Sequence, residues 1–143
     1  MKCYVVDASV AIKWFLPEIH SEAALRLRRS HFRLHVPAFM TLELGNVIAK
    51  KIRRAELTPA EGEMIVMALK DLALQRHADA RLFPSAYQLA VNTQRSVYDC
   101  LYLALAEAVD GAVVTADRKF YAALANGPYG SKVMWVEDLP QVT

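Results

Sequence analysis

Short unbroken apolar runs alternate along this chain with longer stretches whose apolar residues recur at helical spacing. Cys3-Tyr4-Val5-Val6 is rich in β-branched and aromatic types and is stopped by Asp7, the pattern of a strand buried on both faces of a parallel sheet. A short helix is expected through Trp14 to Pro17. Another is expected from about Ser21 to Ser30, with Ser21 as its cap and Ala24, Leu25 and Arg28 at helical spacing. Leu34 to Val36 predicts a second strand, and Pro37 the first residue of a helix reaching about Arg54. Thr58-Pro59-Ala60-Glu61 combines a cap, a Pro in first position and a Glu that can close a capping box, and Ile65, Ala68, Leu69 and Leu72 then trace one apolar face. After a break at His77 to Asp79, a strand is expected at Arg81 to Phe83, with Pro84 opening a helix to about Thr93 and a further helix starting near Ser96. Ala112-Val113-Val114 reads as a buried strand ending in Thr115-Ala116-Asp117. A helix from Arg118 to about Asn126 and a strand near Val133 to Val136 complete the chain.

The βαβα alternation predicts an α/β fold, a parallel β-sheet flanked by helices on both faces. In such sheets ligands bind outside the carboxyl ends of the strands, where Asp7 and Asp117 stand. A length of 143 residues without repeat, linker or low-complexity segment suits one domain over 1–143. The Gly127-Pro128-Tyr129-Gly130 stretch is a loop.

Composition narrows the function classes. With 55% hydrophobic and 22% charged residues the chain is neither disordered nor fibrous, and it is expected to fold without a metal. The longest apolar candidate, Leu101 to Ala106, is cut by Glu107, far short of the roughly 20 residues that span a bilayer. No secretory leader is read at the start, so a cytoplasmic protein is expected. Cys3 and Cys100 lie apart in apolar segments, unlike zinc or redox pairs, and read as buried reduced thiols. A net charge of +2 permits nucleic-acid binding without requiring it.

Four acids carry the candidate chemistry. Asp7 and Asp117 follow buried strands, and each can also be a helix cap. Asp99 stands three residues after Ser96 and four after Arg95, which fits a capping box or an ion pair as well as a functional role. Glu43 differs, because Phe39, Met40, Asn46 and Val47 at helical spacing offer it no cation, and a carboxylate beside apolar side chains is costly unless something binds it. Gathered at one rim of a sheet, carboxylates about 4 Å apart repel by about 4 kcal/mol per pair at an effective dielectric of 20. A hard divalent ion such as Mg²⁺ or Mn²⁺ removes that repulsion, prefers oxygen ligands, and can activate water for attack on a phosphodiester.

Val5-Val6-Asp7-Ala8-Ser9, Glu43 with Asn46, Tyr98-Asp99-Cys100-Leu101-Tyr102-Leu103-Ala104 and Val114-Thr115-Ala116-Asp117 resemble, in order, the motifs of PIN-domain nucleases. The compact length and the Tyr-Asp then Leu-Ala run are similar in particular to VapC-type toxins of bacterial and archaeal toxin–antitoxin pairs. Cys100 departs mildly, standing where a small residue such as Ala is more usual. The resemblance implies a Mg²⁺- or Mn²⁺-dependent endoribonuclease acting on RNA, with Asp7, Glu43, Asp99 and Asp117 as metal-coordinating catalytic acids. It further implies support of the metal site by Ser9, Asn46 and Thr115, a homodimer, and a cognate antitoxin whose peptide occupies the groove near the acids.

Lys13 and Trp14, close to Asp7 in sequence, are candidates for phosphate contact and base stacking, although Trp14 equally suits a core or a dimer interface. The Lys50 to Arg54 cluster could contact RNA phosphates, but a basic helix end is satisfied by its dipole. His31 and His35 have a spacing that could bind metal on a helix, but their segment reads as a loop entering a strand. His20 and His77 are expected at the surface. Two other functions fit parts of the pattern. One is phosphoryl transfer through an aspartyl phosphate on Asp7, where Ser9 replaces the usual second acid. The other is a non-catalytic binding module, against which the intact acid quartet argues.

Overall fold

Five strands, β1 (Cys3–Val6), β2 (Arg33–Pro37), β3 (Gln75–His77), β4 (Ala112–Thr115) and β5 (Val133–Trp135), lie in the order β3-β2-β1-β4-β5 with every pairing parallel. The structure is a computed structural model that describes residues 2–29 and 31–140. The helices are α1 (Ala8–Ala11), α2 (Ser21–Arg29), α3 (Phe39–Arg53), α4 (Pro59–Leu69), α5 (Asp79–Thr93), α6 (Val97–Ala108) and α7 (Arg118–Ala125). The expected α/β sheet with helices on both faces is therefore present.

Burial explains the centre of the sheet. Val5, Val6, Val113 and Val114 are wholly buried, so β1 and β4 carry apolar side chains on both faces. Every residue of α6 from Cys100 to Ala106 is buried, and the helix packs against β1, β2, β4 and α5. A helix that is apolar all round is a core helix. Gly111, in the turn from α6 to β4, lies so close to β1 that a Cβ there would stand 2.4 Å from the Cys3 carbonyl oxygen. The chain steps from β1 through β2 to β3 on one side, then returns to β4 and β5 on the other. The reversal leaves its crevice between the carboxyl ends of β1 and β4.

The Thr58 capping box forms in full, with Pro59 opening α4. Several other expectations need correction. Arg81 to Phe83 is not a strand but lies inside α5, and Pro84 is interior to that helix rather than its start. The third strand is instead Gln75–His77, whose exposed Gln75 and Arg76 show no apolar run because an edge strand has a neighbour on one side only. Pro37 does not open α3; it ends β2 in register with His77. The Phe39 amide at the start of α3 donates to the Asp79 carboxylate. Ser21 does not cap α2. It is that helix's first residue, and its hydroxyl donates to the Leu16 carbonyl and accepts from the Glu18 amide. The first short helix begins at Ala8, earlier than expected, and runs into a 3₁₀ turn over Ile12–Trp14. Ser30, the expected end of α2, lies outside the described residues.

His77 is half-buried rather than at the surface, its ring nitrogen 2.9 Å from that of the buried His35. His20 is likewise half-buried and held by Glu137 at 2.7 Å. Cys100 is buried as expected while Cys3 is only partly so, and both are free thiols.

Candidate active site

Asp7, the first residue after β1, is tied to the end of β4 by a relay of hydroxyls. The Asp117 amide donates to Thr115 Oγ1 and the Ala116 amide to Ser9 Oγ, at 3.0 Å each. Thr115 and Ser9 then donate onward to Asp7 Oδ2 at 2.7 and 2.9 Å. Because each hydroxyl receives a backbone proton, its own proton is directed at the carboxylate and the chain of bonds is mutually reinforcing. Ser9 and Thr115, the hydroxyls that the resemblance implies as supports of the site, both bond the Asp7 carboxylate. Burial raises the Asp7 pKa, the two hydroxyls oppose that, and the charges of Asp117 and Asp99 raise it further.

Glu43 projects from the second turn of α3 and makes no salt bridge among the described residues, as its neighbours imply. Its partner is the phenol of Tyr102 from α6, which donates to Oε1 at 2.5 Å. Tyr102 is itself buried, and burial with the nearby charges of Asp7 and Glu43 raises its pKa, so it remains a neutral donor. Burial pushes Glu43 up to about 7; Tyr102 opposes this, while Asp7, Asp99 and Asp117 add to it. Sequence reasoning missed Tyr102 as a site residue. Its signal was its position, three residues after Asp99 on one face of a helix.

Asp99 lies in the first turn of α6. Ser96 accepts from the Asp99 amide, yet the carboxylate does not complete a capping box; it pairs with Arg95 at 3.0 Å through Oδ2. Asp117 caps α7, with Oδ1 accepting from the Lys119 and Phe120 amides. Both alternative readings of these acids are therefore physically present, alongside their coupling to Asp7 and Glu43.

One feature is shared by all four. Each spends one carboxylate oxygen on the protein, Asp7 Oδ2, Glu43 Oε1, Asp99 Oδ2 and Asp117 Oδ1, and the second oxygen makes no hydrogen bond among the described residues. The charges act on one another across the crevice. Among the described residues they are not gathered into a tight coordination group, so the close packing expected from sequence does not hold. Each acid is held instead by its own anchor, Asp7 by Ser9 and Thr115, Glu43 by Tyr102, Asp99 by Arg95 and Asp117 by the first amides of α7. An all-oxygen donor set of this kind fits Mg²⁺ or Mn²⁺, since Mg²⁺ retains several waters and takes only one or two carboxylates directly.

The remaining candidates fare differently. Asn46 is exposed on α3 and makes no hydrogen bond to an acid among the described residues. The Lys13 ammonium is turned to Glu18 at 3.4 Å, and Lys51 reaches the same carboxylate at 3.2 Å. Trp14 is 8% exposed, and its indole N–H donates to the Ala24 carbonyl at 2.8 Å. Base stacking by Trp14 is thereby corrected: it is a core residue.

The PIN domain family model matches residues 4–124. The chain belongs to the PIN-domain family. Among its relatives are ribonuclease VapC3 of Pyrobaculum aerophilum, 34% identical over 80% of this chain and 89% of that protein. Ribonuclease VapC9 of Mycobacterium tuberculosis is 33% identical over 80% of this chain and 86% of its own. A toxin–antitoxin complex from Klebsiella pneumoniae contains a chain of the same fold, with a TM-score of 0.65 at 14% identity over 95% of this PIN domain and 99% of that chain. The matched span contains all four acids and the hydroxyl relay, and it ends before β5.

Proposed function

We propose that this PIN domain is a Mg²⁺- or Mn²⁺-dependent endoribonuclease and the toxin of a type II toxin–antitoxin pair. What supports the reading is that Asp7 and Asp117 follow the two strands at which the sheet reverses direction, and that each of the four carboxylates has one oxygen bonded to the protein and a second with no hydrogen bond among the described residues. The ribonuclease relatives supply the reaction class. When bound, the ion would neutralise the acids and lower the pKa of a water for in-line attack on an RNA phosphodiester. Asp7, Glu43, Asp99 and Asp117 would hold it. Ser9 and Thr115 fix the Asp7 carboxylate, and Tyr102 fixes Glu43 against its preference for protonation. The aspartyl-phosphate alternative has less support, because Ser9 is committed to the carboxylate that would be the nucleophile and no acid stands in its place.

The test is digestion of a total RNA pool with sequencing of the new ends. Cleavage should occur with Mg²⁺ or Mn²⁺ and cease in EDTA. Equal cleavage in EDTA, or none with either ion, would remove the proposal.

Partners follow the same reading. A cognate antitoxin would seat a peptide in the groove near the acids. The exposed Phe83, Tyr87 and Val91 form a stripe at four-residue spacing along α5, a surface that a second copy would cover. Light scattering should give a dimer for the wild type and half that mass for Tyr87→Glu; a wild-type monomer at micromolar concentration would contradict the assignment. No helix among the described residues is long and apolar enough to cross a membrane.

A further inference from the structure

The four acids would repel an RNA backbone, so the cations beside them bear on how substrate is held. Lys13 and Lys51 are both engaged by Glu18. Arg118, the residue after Asp117, is exposed and makes no ion pair or hydrogen bond among the described residues. Its guanidinium carbon lies 4.6 Å from the centroid of the Trp135 ring.

Trp135 is placed by the sheet. It ends β5 in register with Thr115, whose hydroxyl holds Asp7, so the indole stands one strand from the carboxylate relay at the same end of the sheet. It is only partly buried. The His20 ring stands nearly perpendicular to it at 5.4 Å, and the Tyr121 ring is tilted against it at 5.8 Å. His20 is in turn fixed by Glu137 at 2.7 Å, which Arg26 also approaches at 3.8 Å. A partly buried indole held between two neighbouring rings, with a planar cation over its face that makes no ion pair or hydrogen bond among the described residues, offers both elements used to hold single-stranded nucleic acid: a stacking surface and a phosphate contact.

We propose that Trp135 and Arg118 form a subsite for an unpaired nucleotide next to the scissile phosphate, Trp135 stacking the base and Arg118 contacting base plane or phosphate. The proposal rests on the ribonuclease reading and deepens it. The substrate class is then RNA with an unpaired segment at the cut, because a paired base cannot present its face to the indole. Selection of base identity is weak at this subsite, since every base has a face to stack.

Binding of a single-stranded oligouridylate of about ten nucleotides to the full chain, in EDTA and at low salt, separates this idea from cleavage. Fluorescence anisotropy gives Kd, and tryptophan emission reports stacking against a constant background from the buried Trp14. The wild type should show saturable quenching. Trp135→Ala and Arg118→Ala should each raise Kd roughly tenfold, Trp135→Phe should raise it less, and Trp135→Ala should lose the quenching. A duplex of the same length should quench little. Arg118 is exposed, so Arg118→Ala and Arg118→Lys decide the matter if Trp135→Ala proves unstable. Unchanged Kd in the Arg118 variants, or wild-type emission unaltered at saturation, would overturn the proposal, as would a changed oligomeric state with unchanged Kd. Metal-dependent cleavage with unchanged Kd in these variants leaves the nuclease reading standing and removes this one. Quenched binding without cleavage at any metal concentration does the reverse.

Discussion

Replacing Asp99 by Asn is expected to lower metal-dependent RNA cleavage by about a thousandfold while leaving the fold intact. The loss follows from removing one charge from a site whose ion and phosphate are held by charge; single preorganised groups of this kind are worth about 10²–10³ in rate. Stability should barely change, because Asp99 is partly exposed and its ion pair with Arg95 is one helical turn away on the surface, where such pairs contribute at most about 0.5 kcal/mol. Asp7→Asn should be as inactive but informative in another way. Asn can still accept from Ser9 and Thr115 through its carbonyl oxygen, and it no longer repels its neighbours, so the metal-free variant should melt no lower than the wild type. A carboxylate serving structure alone would give the opposite sign. Cleavage assays with matched thermal melts read both quantities, and full activity in Asp99→Asn would sink the four-acid site.

Metal-free stability is expected to fall as pH rises from 5 to 7.5, and Mn²⁺ should abolish that slope. Folding raises Glu43 from 4.5 to about 7, so between those values the folded chain binds a proton that the unfolded chain has already released. The contribution is whole below the lower value and lost as pH climbs through the upper one. Asp7 shifts in the same direction, chiefly through burial. Full burial at this shift would be worth about 3 kcal/mol, and solvent at the partly buried Glu43 brings it to about 1–2 kcal/mol. A divalent ion binds the deprotonated acids, adding about 2.7 kcal/mol at a hundred times its Kd. Melting temperatures should therefore rise with Mn²⁺ at pH 7.5 and hardly move at pH 5. A metal-free protein that grows more stable over this range, or one indifferent to Mn²⁺ at both pH values, would show that the acids are neither strained nor metal-binding.

Much of this was legible before any coordinates, for reasons that can be named residue by residue. Val5-Val6-Asp7 and Val113-Val114 identify themselves because a strand buried on both faces must be continuously apolar and must end where an acid appears. Thr58 to Glu61 did so because capping is local: every group involved lies within four residues. Glu43 stood out because its helical neighbours offered it nothing. Errors occurred where a distant part of the chain decides. Gln75–His77 is a strand only because β2 lies beside it, and Pro37 ends that strand rather than opening α3 because His77 is its neighbour in the ladder.

The same division applies to the site. Order and spacing along the chain singled out the four acids as candidates, since they belong to local strand-end and helix-start motifs, while Ser9 and Thr115 entered only through the resemblance to PIN-domain nucleases. Tertiary structure alone decided which groups hold them: Tyr102 for Glu43, Thr115 for Asp7, and Glu18 turning Lys13 aside. It also placed Trp14 in the core. Trp14 is close to Asp7 in sequence yet packs in the core, whereas the parallel sheet aligns Trp135 with Thr115, 20 positions earlier in the chain. Side-chain type and local pattern determine which groups are available for chemistry; strand register determines which of them meet, because parallel neighbours are always far apart in sequence.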